Sequence, residues 1–119
     1  MTNNVHLVAR VNNIPLNLVL HDLKSYNARR LLEMIKDNPR ESRKEWLLYM
    51  FHYFGKQVNQ EHQIWQHNNY PVELYSSEVI KQKIEYIHNN PVRAGIVAQP
   101  HEYLYSSANR FSIVKVLEV

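Results

Sequence analysis

The stretch Glu85-Tyr86-Ile87-His88-Asn89-Asn90-Pro91-Val92-Arg93-Ala94-Gly95-Ile96-Val97 governs how the rest of the chain is read. An amphipathic helix ends here on an Asn-Pro-Val turn and a glycine, and a tyrosine stands one helical turn before the turn begins. Upstream, Ile80, Ile84 and Ile87 recur at spacings of four and three. That pattern predicts a helix starting after Ser76 or Ser77 and running to about Asn89, with the isoleucines facing the core. At about 100° per residue, Tyr86 lies about 100° from Ile87 and about 120° from Ile80, on the flank of the stripe. Asn90 follows one turn later on the same flank. A nucleophile needs such a place, held by a core helix with its oxygen at a cleft. A tyrosine that caps a core edge with its hydroxyl in water has the same spacing.

Toward the N-terminus, Val5, Leu7, Ala9 and Val11 alternate with Asn4, His6, Val8 and Arg10, which predicts a strand over Val5–Val11 with one apolar face. Residues two apart on a strand share a face, so Asn4 and His6 project together. A pair of imidazoles in that arrangement would hold a divalent cation; one imidazole and one amide make a poorer site. Mg²⁺ would tolerate the amide oxygen, and Mn²⁺ would accept both ligands. Arg10, on the same face as His6, is placed to touch a phosphate. The remaining histidines, His21, His52, His62, His67, His88 and His101, form no i,i+4 pair and no HExxH pattern.

Between these ends, two more helices are expected. The first starts after Asn17 as N-cap and ends near Lys36 before Asp37-Asn38-Pro39, with Leu20, Leu23, Asn27, Leu31, Met34 and Ile35 on one side. The second opens on Ser42-Arg43-Lys44-Glu45, a capping-box spacing, buries Trp46, Leu47, Met50, Phe51 and Phe54, and stops at Gly55. A polar loop from Lys56 to His62, a short strand-like piece at Ile64-Trp65-Gln66 and a last strand-like run from Ile113 to Val119 complete an α+β order with few strands. The packing expected of it sets the apolar face of Val5–Val11 against the helix bearing Tyr86.

Composition bounds the function. The 119 residues, 45% hydrophobic, suit a single domain over 1–119. Cysteine is absent, which excludes disulfides and thiolate metal sites. No apolar run reaches the roughly 20 residues of a membrane span, and no signal-peptide layout opens the chain. A cytoplasmic protein without membrane partners is expected. The net charge of +3 leans toward an anionic partner. Seven of the 14 Lys and Arg residues fall between Lys24 and Lys44. Lys24, Arg29, Arg30 and Lys36 are therefore candidate contacts for a nucleic-acid backbone, with a solvated helix face the competing explanation.

Taken together, Asn4-Val5-His6-Leu7, Asp22-Leu23-Lys24-Ser25-Tyr26, Trp65-Gln66, Tyr86 to Val97 and Tyr103-Leu104-Tyr105-Ser106-Ser107-Ala108 resemble the single-tyrosine HUH transposases, in particular the REP-associated tyrosine transposases. The resemblance spans nearly the whole chain, and the tyrosine helix with its Asn-Pro-Val-x-x-Gly turn is its most specific part. It implies a ferredoxin-like HUH transposase fold, with an antiparallel sheet and helices on one face. It aligns Tyr86 with the catalytic tyrosine, His6 with the second metal histidine, and Asn90 with a residue that completes the metal shell. Asn4 stands where the family has its first metal histidine, and Tyr70 stands before Pro71 where a His is expected. The family also places a strand and helix ahead of the HUH strand, so an N-terminally truncated domain is expected. Its open sheet edge could be covered by a second copy in a homodimer.

The activity this implies is binding of hairpin-bearing single-stranded DNA and metal-dependent cleavage and rejoining in transposition. Tyr86 would form a 5′-phosphotyrosine and release a 3′-hydroxyl. Replacement of one imidazole by Asn4 predicts weak Mg²⁺ or Mn²⁺ binding and impaired cleavage. Two alternatives stay open: a catalytically inactive DNA-hairpin-binding remnant, and a small non-enzymatic α+β interaction module.

Overall fold

The computed structural model describes residues 3–118. Met1 and Thr2, at the start of the expected HUH strand region, and Val119, the end of the expected last strand, lie outside the described residues. The elements in chain order are α1 (Leu16–Asp37), α2 (Lys44–Gln57), α3 (Ser77–Arg93) and a short 3₁₀ helix (Pro100–Glu102). The chain divides into two compact units. One joins residues 1–9 to 72–119 and contains α3; the other is 10–71 and contains α1 and α2.

In the 10–71 unit, α1 begins one residue before the expected cap. Pro15 precedes it, and the Leu18 N–H donates to Pro15 O at 3.0 Å, so Asn17 lies inside the first turn. The helix stops where Pro39 forces it to: Asn38 is extended (φ −87°, ψ 107°), as the residue before a proline prefers. The Asn38 carboxamide then accepts the Arg40 N–H at 3.0 Å. The Ser42–Glu45 capping box does not form. Instead Glu41 Oε1 accepts the Arg43 N–H at 2.9 Å, and that backbone bond, with the Arg43 guanidinium beside it, holds the Glu41 carboxyl below its usual range. α1 and α2 pack on each other, and Lys44 Nζ closes the corner by donating to Lys36 O at 2.9 Å. The segment after α2 turns back along it, with the Gln63 N–H donating to Phe51 O at 2.9 Å. Gly55 is not the stop but the contact point. It is buried inside α2, and a Cβ built on it would stand 2.7 Å from His62 Cα and N.

In the other unit, α3 starts as expected: Ser76 is extended and its hydroxyl accepts the Val79 N–H at 3.2 Å. It passes through Pro91 to Arg93 and closes with the Gly95 N–H on Val92 O and the Ile96 N–H on Pro91 O, each at 2.9 Å. This pair of bonds is a Schellman motif, and Gly95 supplies its left-handed residue (φ 72°). Ile80, Ile84 and Ile87 are half-buried. The short 3₁₀ helix packs on α3, and His88 Nε2 meets Ser107 Oγ at 2.9 Å. Glu102 fixes the 3₁₀ helix by accepting the Ala98 and Gln99 N–H groups at 3.0 and 2.8 Å.

The expected α+β, ferredoxin-like fold with its antiparallel sheet is overturned. Helix accounts for 48% of the structure, and no strand occurs among the described residues. Residues 5–11, 64–66 and 113–118 run without regular structure. The alternation in Val5–Val11 marks a segment that could be half-buried in a ladder, but a strand exists only when a neighbour takes up its N–H and C=O groups. No ladder forms, and Val5 and Leu7 are exposed. The 3₁₀ helix, not a sheet, is the element that packs on α3. The open sheet edge from which pairing of two copies was expected has no counterpart either.

The helix stripes are also narrower than the spacing suggested. Leu47, Met50 and Phe51 are half-buried as expected, but Trp46 and Phe54 are exposed. On α1 the covered side is Leu16, Leu20, Lys24, Ala28, Leu32 and Ile35, while Leu23, Leu31 and Met34 are exposed. Among the described residues no hydrophobic side chain is fully buried; Gly55, Asn90 and Pro91 are the buried positions.

Candidate functional site

The helical rotation that sets the isoleucine stripe inward leaves Tyr86 on the flank, where its side chain is 48% exposed. Two cations of the same helix stand over its ring. Lys83 Nζ is 5.4 Å and Arg93 Cζ 5.2 Å from the ring centre. At about 100° per residue Arg93 falls about 20° and Lys83 about 60° from Tyr86 around the helix axis, so the three side chains share one strip. Cations at that distance are attracted by the ring face, and both retain donors for an oxyanion brought to the phenol. Neither residue was singled out from the sequence. The i−3 and i+7 spacings from Tyr86 were the signal that could have found them.

Asn90, one turn after Tyr86, is 9% exposed and is the one buried polar residue among those described. It sits beside buried Pro91, and its carbonyl accepts the Ala94 N–H at 2.9 Å. A proline at 91 removes the N–H that would bond to Ile87 O, so the helix is locally open one turn past the tyrosine. Asn4 and His6 are exposed and lie on the irregular stretch before residue 10, in the same unit as α3. Without a ladder, no backbone geometry places their side chains on a common face. Among the described residues, no group of three or more His, Cys, Asp or Glu gathers into a metal-holding cluster. The implied donors are one imidazole and two neutral amides, too poor a set to hold Mg²⁺ or Mn²⁺ tightly.

The basic residues of the 10–71 unit differ in availability. Lys24 Nζ donates to Gln66 O at 2.8 Å and lies on the covered side of α1. Arg30 Nη1 meets Glu33 Oε2 at 2.6 Å on the exposed side. Arg29 and Arg10 are exposed and make no ion pair among the described residues. Arg10 and His6 lie on a stretch without regular structure, so the expected shared strand face is not formed.

No family model matches this chain, and neither a curated protein nor a solved structure similar to it was found. Among the described residues no helix is long and apolar enough to cross a membrane.

Proposed function

We propose that this chain binds single-stranded DNA beside a hairpin, presenting a phosphodiester to the Tyr86 phenol, and that it cleaves the strand slowly or not at all. The observation that carries this is the strip on α3: a half-exposed tyrosine between Lys83 and Arg93. A phosphate drawn to the two cations comes to rest against the phenol, and flanking bases are free to stack on exposed aromatic rings. In the 10–71 unit, taken by itself, the exposed Arg10, Arg29 and Arg30 are further candidates for backbone contacts that are uniform across sequences, and Lys24 is engaged with Gln66 O. In the cleavage step the Tyr86 oxygen bonds to phosphorus as the bond to the 3′-oxygen breaks. The phenol proton passes to solvent and the departing oxygen takes up a proton, leaving a 5′-phosphotyrosine and a free 3′-hydroxyl. No step depends on a divalent cation, for which His6, Asn4 and Asn90 make too poor a set of donors.

The test is a titration of hairpin-bearing single strand against duplex of the same sequence, followed by denaturing gels for a covalent adduct. Tighter binding of the hairpin strand, falling steeply with salt, supports the proposal. Equal affinity for both forms, or none, would sink it. The exposed aromatic face of α2 (Trp46, Tyr49 and Tyr53, with the two tyrosine rings stacked at 6.4 Å) favours a second function, docking of a partner protein without any DNA chemistry. Failure to bind hairpin DNA would leave that one standing.

A further inference from the structure

No step of the proposed DNA chemistry uses the corner of the 10–71 unit where the segment after α2 comes back along that helix. Three contacts fix the corner. The Gln63 N–H donates to Phe51 O at 2.9 Å, and His52 Nδ1 lies 3.0 Å from Glu61 O. The missing side chain of Gly55 lets the His62 backbone come within 2.7 Å of where a Cβ would stand. Between these contacts two imidazoles meet, one from α2 and one from the returning segment. The ring centres of His52 and His62 are 5.6 Å apart, with their planes at 65°.

An edge-to-face ring contact by itself accounts for such a distance, but the hydrogen bonding around this pair goes further. A carbonyl oxygen only accepts, so the bond to Glu61 O puts the ring proton of neutral His52 on Nδ1 and leaves Nε2 with its lone pair, on an exposed side chain. Metal-ligating histidines are held in this way, the second ring nitrogen donating to a carbonyl or carboxylate that fixes tautomer and orientation together. Glu61 offers His62 the equivalent partner. Its Oε1 stands 4.0 Å from His62 Nδ1, beyond hydrogen-bond reach, on a carboxylate that is 85% exposed and free to close the gap. The spacing fits an ion as well. With metal–nitrogen bonds of about 2.1 Å, the centres of two imidazoles on one ion stand roughly 4.5–6.5 Å apart, depending on the angle between them. Among the described residues no third His, Cys, Asp or Glu joins the pair into a metal-holding group, so water completes the shell. Imidazole ligands select zinc, copper or nickel over Mg²⁺.

We propose that His52 and His62 bind one transition-metal ion of this imidazole-preferring class, and that the ion clips the returning segment to α2. The test uses the full chain without an added histidine tag, titrated with ZnCl₂ while long-range ¹H–¹⁵N spectra follow the ring nitrogens of its 7 histidines. At the first equivalent the His52 and His62 signals should move together and ahead of the rest. The melting temperature should rise in step, as it does for any ligand confined to the folded state. His52→Gln and His62→Gln should each weaken Zn²⁺ binding by at least the roughly tenfold that loss of an outer-shell partner alone costs. His21→Gln and His67→Gln, on histidines of the same unit outside the pair, should leave it unchanged. Excess Mg²⁺ should neither displace Zn²⁺ nor move the two rings. First-equivalent shifts spread over all the histidines, or movement of only one ring of the pair, would overturn the site. So would wild-type affinity in either pair variant with its helical circular dichroism intact. Should a variant unfold, the wild-type spectra decide by themselves. Hairpin DNA plays no part in the titration, so this site and the strip on α3 stand or fall separately.

Discussion

At the scale of single residues, the proposed chemistry asks only for the Tyr86 oxygen. Tyr86→Phe keeps the ring and both cation contacts, so DNA affinity should hold within about twofold while any covalent adduct vanishes. An adduct that survives would move the nucleophile elsewhere, with Tyr26 on α1 the next exposed phenol to test. Lys83→Gln and Arg93→Gln should do the reverse. Each removes a cation from the strip and should weaken hairpin binding by about tenfold and flatten its salt dependence, as loss of a phosphate contact does. Unaltered salt dependence in both would place the DNA elsewhere. Another residue carries strain rather than chemistry. Tyr70 holds φ 48° before Pro71, in the left-handed region that costs an L side chain about 1–2 kcal/mol. Tyr70→Asn should relieve part of this and raise the melting temperature, and a lower one would mean that the exposed ring makes contacts that outweigh the strain.

At the scale of elements, the chain's only two glycines should respond differently to alanine. In α2, Gly55→Ala gains about 1 kcal/mol of helix propensity but sets a methyl 2.7 Å from His62 backbone atoms, which cannot swing aside. The clash should win, with a net loss of about 1–3 kcal/mol and release of the segment that returns along α2; a stabilised Gly55→Ala protein would refute that contact. Gly95→Ala meets open space, so its cost should be only that of φ 72°, about 1 kcal/mol. The end of α3 was misread: it was expected near Asn89 on the Asn-Pro-Val turn, and the helix runs through Pro91 to Arg93 and closes on Gly95. Gly55 was misread as a helix stop because its reason is a contact with a segment outside its own helix. A division between near and distant causes runs through the fold. Ser76, Pro39 and the isoleucine stripe act within a turn or two of chain and were read correctly. The sheet needed partners that periodicity cannot supply, and Val5–Val11 stays irregular. For that reason Asn4→His alone should raise Mn²⁺ affinity by less than about tenfold, since no ladder holds positions 4 and 6 together. A large calorimetric gain in the variant would show that the two side chains meet after all.

At the scale of the whole molecule, the shortage of burial decides how the chain should behave. Side chains as large as Trp46, Leu7, Met34 and Phe111 are exposed, and no hydrophobic residue among those described is fully buried. Apolar burial is the main force opposing the entropy of the chain, so the helices should be held weakly and unfold over a broad range of temperature. Surface of this kind also binds hydrophobic dyes. Such a chain gains most from a ligand that binds only its ordered state. At a free concentration 100 times the dissociation constant, hairpin DNA should stabilise it by about 2.7 kcal/mol, or about 10 °C for a chain of this size. Dye binding should fall along the same titration. Added salt should erase both effects together, because the coupling runs through phosphate contacts. Should DNA leave the melting curve and dye signal untouched while raising the protein concentration sharpens the transition, the apolar surface is covered by a second copy of the chain. The aromatic face of α2 then becomes the place to look for that contact.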